Sequence, residues 1–112
     1  MNNELWSVNT NEKDWRPLPD SNKVFYKSLR FDKETTALSI LLKFEAGGSA
    51  PLHKHPKGEE YFVLKGSIEE GGKTYHEGEY VYYPPESIHK PMSKAGCEIL
   101  VILPQAIEVL EK

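Results

Sequence analysis

The chain has 112 residues, 38% of them apolar and 28% charged, with a formal net charge of −3. That length supports one domain around a single core, and the composition is globular rather than disordered. Fourteen Lys and Arg against 17 Asp and Glu leave no basic excess to hold a phosphate backbone, apolar runs fall far short of the ~20 residues of a membrane-spanning helix, and a lone Cys97 excludes an internal disulfide.

The N-terminus lacks a basic segment followed by an apolar one, so no signal peptide is expected, and the single thiol fits a reducing cytoplasm. Residues 1–35 are polar but contain Trp6, Trp15 and a run at 24–30 that predicts a strand. They are expected to be edge strands covering a barrel built from 36–104. In 36–44, Leu38, Ile40, Leu42 and Phe44 share one face; in 60–64, Tyr61 and Val63 oppose Phe62 and Leu64. The stretches 79–83 and 97–103 are rich in β-branched or aromatic side chains and too short for a good helix. Gly and Pro punctuate these runs at 46–48, 56–58, 71–72, 77–78 and 84–86. Short strands at this spacing predict an all-β sandwich or barrel, one domain over 1–112. The tail 105–112 suits a helical turn or a further strand equally.

The chemistry-bearing residues are histidines. His53 and His55 are two apart, so on a strand both imidazoles point to one face. Pro56 and Gly58 then bend the chain, which lets Glu59 point back toward the same place. His89 follows His55 by 34 residues, after a hairpin and Pro84-Pro85, and an antiparallel neighbour there would add a third nitrogen. Three nitrogens and one carboxylate suit a divalent Zn, Fe, Mn, Ni or Co ion.

The spacing matches a known pattern. Gly47, five residues, His53-x-His55, three residues, Glu59, six residues, Gly66 resembles the first motif of the cupin superfamily with every position filled. Gly78, Pro84 and His89 fall in register with the second motif, in which Glu86 stands where Gly is usual and Ser93 where Asn is usual. The His-Pro-x-Gly-Glu-Glu run at 55–60, the Leu64-Lys65-Gly66 turn, Gly78-Glu79-Tyr80 ahead of Pro84-Pro85, and Gly96-Cys97 are similar to the ChrR-type cupin domain, named from a zinc-containing anti-sigma factor. The resemblance implies a single-domain cupin, a jelly-roll or double-stranded β-helix barrel commonly paired as a homodimer. It also implies His53, His55, Glu59 and His89 as ligands of one divalent metal, zinc foremost, with iron, manganese or nickel as alternatives. The length leaves no room for the helical sigma-binding part of ChrR, so that role is not expected to carry over. Other cupins of similar sequence resemble acetylacetone-cleaving dioxygenases with three-histidine ferrous iron; Glu59 sets this chain apart from them. The expected function is therefore a cytoplasmic metal-binding or small-molecule-sensing module with neither nucleic acid nor membrane as partner. The alternative is a small non-haem iron dioxygenase.

The remaining candidates have plainer readings. His76 between Gly72 and Gly78 reads as a solvated hairpin residue, and Cys97 in an apolar strand as a buried, inert thiol. Glu60 is expected to face outward, opposite to Glu59, against a surface lysine. Of Tyr80, Tyr82 and Tyr83, one phenol is expected to reach a pocket.

Overall fold

The computed structural model describes residues 4–110. After a 3-10 turn at Thr10–Glu12 come β1 (Arg16–Pro17), β2 (Asn22–Phe31), β3 (Leu38–Ser49), β4 (His53–His55), β5 (Glu59–Glu70), β6 (Lys73–His76), β7 (Tyr80–Tyr83), β8 (Ser87–His89), β9 (Met92–Ser93), β10 (Cys97–Leu103) and β11 (Glu108–Val109). The runs expected at 24–30, 36–44, 60–64, 79–83 and 97–103 are β2, β3, β5, β7 and β10, with β3 and β5 reaching 12 residues each. None of the described residues forms an α-helix, and no helix is long and apolar enough to cross a membrane.

The strands form two sheets. The larger runs β1-β2-β3-β10-β5-β6, with β7 hydrogen-bonded to β5 and β9 to both β3 and β5; the smaller runs β11-β4-β8. All pairings are antiparallel. The strands β1 and β2 lie at one edge of the large sheet. The tail resolves as β11, which pairs Glu108 with Lys54 and Val109 with His53; positions 111 and 112 lie outside the described residues.

Period-two alternation fills the space between the sheets. On β3, Ile40 and Phe44 are buried and Leu38 and Leu42 pack against them; on β10, Cys97, Ile99, Val101 and Leu103 point the same way. The alternation breaks once inside β5. Glu98 of β10 faces Lys65, but Ile99 faces Val63, so Leu64 is an extra residue in the ladder. Before this bulge the odd-numbered Glu59, Tyr61 and Val63 are buried; after it the even-numbered Ile68 and Glu70 are. Gly66 makes the bend feasible. Its φ is +72°, and a Cβ there would stand 2.1 Å from the Gly96 carbonyl oxygen.

Candidate metal centre

Strand geometry assembles the site. Both imidazoles of β4 point inward while Lys54 between them points out, where its Nζ meets Glu86 Oε2 at 2.6 Å. The antiparallel β8 sets His89 directly across from His53. The three rings come within 4.5–4.7 Å of one another, centroid to centroid. One ligand atom from each of His53, His55 and His89 fits within a 4.8 Å group, and all three side chains are buried.

The outer nitrogens are held differently. His53 Nδ1 lies 2.7 Å from the Pro51 carbonyl oxygen, so it donates there and leaves Nε2 as the open donor atom. His89 turns Nδ1 toward Glu70 Oε1 and brings Nε2 within 2.5 Å of His55 Nε2. His55 Nδ1 is buried without a hydrogen-bond partner. Glu59, 7% exposed, enters from β5 with Oε2 at 3.4 Å from His55 Nε2 and Oε1 at 3.8 Å from His89 Nε2. All four residues singled out by the motif thus converge, the three nitrogens in the tighter group and Glu59 beside it.

Burial governs the protonation states. Desolvation pushes His55 down to about 3, with the neighbouring His89 and His53 adding to it, and desolvation also lowers His53. Both imidazoles are therefore neutral at pH 7, the form that offers a lone pair to a cation. Burial, reinforced by Glu70, raises the Glu59 carboxyl well above the ordinary carboxylate range. Three imidazoles, two of them held neutral by burial, and a carboxyl that a nearby cation would ionise are the donor set that a borderline divalent metal accepts, so the residues fit the ion the motif implies.

Behind the histidines stands a group that sequence reasoning missed. Glu70 is buried, and its Oε2 accepts the hydroxyls of both Tyr61 and Tyr83, the latter at 2.8 Å. Burial, then Glu70 itself, pushes both phenols above their usual range, so they remain donors. Tyr83 is the one phenol expected from its cluster. Strict alternation from Glu59 would send residue 70 outward; the signal for the reversal is Gly66, which forces the bulge.

The other expectations are met with one change. Glu60 faces outward, but its Oε2 accepts from the Tyr80 hydroxyl at 2.5 Å rather than facing a lysine, because Tyr80 and Glu60 lie on adjacent strands of the same face. His76 is exposed, with Nδ1 3.4 Å from Glu79, and Cys97 is buried with its thiol pushed up to about 11 by desolvation. The two departures from the second motif keep its shape. Glu86 adopts φ +73°, the left-handed backbone that a glycine would supply, and Ser93 Oγ donates to the Ser67 carbonyl at 2.5 Å while accepting the Gly96 N–H at 2.9 Å.

A cavity of about 290 Å³ opens beside the histidines. Leu38, Ile40, Leu42 and Phe44 of β3 wall one side, His53, His55, Glu59 and His89 the other, and the lining contains no lysine or arginine among the described residues.

Comparison with known proteins agrees with this architecture. The profile of the family described as ChrR Cupin-like domain matches residues 3–106. No curated protein matches the chain. Among solved structures, a candidate acetylacetone dioxygenase of Methylibium petroleiphilum PM1 superposes with a TM-score of 0.91 at 21% identity, covering 99% of this chain and 84% of that one. The acetylacetone dioxygenase of Acinetobacter johnsonii gives 0.76 at 20% identity, over 97% and 75%. The complex of Rhodobacter sphaeroides SigE with the anti-sigma ChrR gives 0.70 at 24% identity, covering 85% of this chain and 50% of the matched one. At these identities the likeness is one of fold.

Proposed function

This chain belongs to the ChrR Cupin-like domain family, and on that premise we propose that it binds one divalent metal, zinc, through His53, His55, Glu59 and His89 and serves as a metal-dependent module for binding or sensing a small molecule. The observation that carries the reading is the convergence of three buried imidazoles within 4.8 Å. A bound cation would supply Lewis acidity at the cavity wall; the chain's part is to present neutral nitrogens, exclude bulk water and offer an apolar chamber. Elemental analysis of protein purified without added metal tests it. About one zinc per chain is expected, with His53→Ala and His89→Ala each losing most of it; full occupancy in either variant would remove that residue from the ligand set.

A second reading, a mononuclear iron dioxygenase, draws on the same cavity, which would take a substrate as readily as a sensed ligand. One iron per chain, with oxygen consumed in the presence of a small ketone, would select it over zinc.

The module is further proposed to pair with a second copy through the outer face of the large sheet. Leu41, Leu100, Phe62 and Tyr80 form one unbroken row across β3, β10, β5 and β7, flanked by exposed Leu64, Tyr82 and Ile102. A contiguous apolar row on an outer face marks an interaction surface. Light scattering should give about twice the 12.8 kDa chain mass, with Phe62→Asp shifting it toward the monomer; a monomeric wild type at micromolar concentration would refute the pairing.

A further inference from the structure

We propose that Glu70 is a positioning residue that holds the His89 proton on Nδ1 and thereby turns the Nε2 lone pair into the metal site. The claim rests on the metal-binding reading above, and adds to it a residue outside the motif. Its basis is how the two oxygens of Glu70 are used. Oε2 receives the hydroxyls of Tyr61 and Tyr83, and Oε1 remains for His89 Nδ1. A neutral imidazole carries one proton, and a carboxylate only accepts. A bare Nδ1 lone pair against Oε1 would be repulsive, whereas an Nδ1–H is attracted, so the contact selects one tautomer. The ring has no room to turn over. The Tyr83 ring lies 4.5 Å from its centroid, and the His53 and His55 rings lie 4.5 and 4.6 Å away.

The three ligand histidines are therefore not equivalent. His53 is anchored by a backbone carbonyl; His55 Nδ1, His89 Nδ1 and Glu70 Oε1 are all buried without a formed hydrogen bond, and of the two imidazole nitrogens it is His89 Nδ1 that lies against the carboxylate, at Glu70 Oε1. A carboxylate behind a ligating imidazole fixes its orientation and raises its basicity, and losing such a partner typically lowers metal affinity roughly 10–100-fold. The phenols orient the carboxylate in turn, with Tyr61 stacked on Tyr83 at 6.4 Å.

Two readouts test this. Long-range ¹H–¹⁵N correlation on metal-free protein reads the His89 tautomer directly, and Co²⁺ binding by chelator competition reads affinity along with the visible absorption band. The wild type should show Nδ1–H. Glu70→Leu should lose that preference and bind Co²⁺ roughly 10–100-fold more weakly. Glu70→Gln keeps an acceptor without the charge, so it should retain the tautomer, bind between the other two and shift the cobalt band. Tyr83→Phe, which leaves the Tyr61 donor and the Oε1 contact in place, should change affinity by less than about threefold, a loss well below the one set by the carboxylate itself. Glu70→Leu strips two buried phenols of their acceptor and can unfold the barrel, so Glu70→Gln carries the test alone. An unchanged cobalt affinity and band in that variant would overturn the proposal, as would an Nε2–H tautomer in the wild type. A wild type that binds no metal while holding His89 as Nδ1–H would support the contact and overturn the metal reading instead.

Discussion

The two sheets contribute opposite chemistry to the centre. Every imidazole comes from the small sheet, His53 and His55 on β4 and His89 on β8. Every side-chain oxygen ligand or support comes from the large one: Glu59, Tyr61 and Glu70 on β5 and Tyr83 on β7. The small sheet has three short strands and little core of its own, while the large sheet holds most of the buried apolar side chains. A cation bound by both would act as a clasp between a robust layer and a weak one, and the site exists only when the layers are docked.

The largest effect should follow from opening that clasp. A ligand that binds only the folded chain stabilises it by about 4 kcal/mol at a thousandfold excess over Kd. Chelation, verified by elemental analysis, should therefore lower the melting temperature by many degrees, and hydrogen exchange should rise first in β4, β8 and β11. An unchanged melting temperature would mean that the sheets dock without help from the ion.

Acid sharpens the contrast by acting on the two layers with opposite sign. In metal-free protein His53 and His55 have lowered pKa values, so the unfolded chain takes up protons below pH 6.5 that the fold refuses until about 3 for His55. Their contribution is whole above 6.5 and is lost as pH falls. Glu59 is raised, so its contribution is whole below the ordinary carboxyl value of 4.5 and is lost as pH rises through its higher folded value. Between 6.5 and 4.5 the histidines and the carboxyl therefore pull stability in opposite directions. Below 4.5 Glu59 is protonated in both states, while the fold still refuses the His55 proton down to about 3. Urea unfolding of the metal-free chain should therefore lose stability between pH 4.5 and about 3. Stability that holds level over that interval would mean that His55 is not held neutral.

The same division explains what the sequence makes legible. The histidine sheet is encoded locally: His53-x-His55 lies on three residues of strand, and Pro84-Pro85 ahead of β8 returns His89 to face it. Simple alternation suffices there. The oxygen side depends on β5, where Glu59, Tyr61 and Val63 follow the alternation and Glu70 does not, because one extra residue at Leu64 reverses the phase. A bulge is set by a contact remote in sequence, Gly66 against Gly96, and leaves no periodic trace. Glu60 shows the same limit on a smaller scale: its outward direction follows from Glu59, but its partner Tyr80 comes from a strand that only the fold brings alongside.

The smallest expected difference is also the closest test of where the oxygen sheet meets the nitrogen sheet. Glu59 and Glu60 are adjacent, and motif spacing after His55 tolerates either as ligand. Glu59 is 7% exposed and directs its oxygens at two imidazoles; Glu60 is half-buried on the far face and holds the Tyr80 hydroxyl. Glu59→Gln exchanges a carboxylate for an amide, a much weaker ligand, at a position where burial already disfavours charge unless a cation is present. A loss of roughly 10–100-fold in metal affinity, about 1.4–2.7 kcal/mol, is the expected scale for a supporting or weak fourth ligand. Glu60→Gln keeps an acceptor for Tyr80 on a solvated face and should alter affinity by less than the error of a chelator competition. If both variants bind as tightly as the wild type, the ion is held by the three histidines alone, and Glu59 is a buried neighbour rather than a ligand. If Glu60→Gln is the damaging one, β5 is displaced by one residue, which would also turn Tyr61 and Val63 outward.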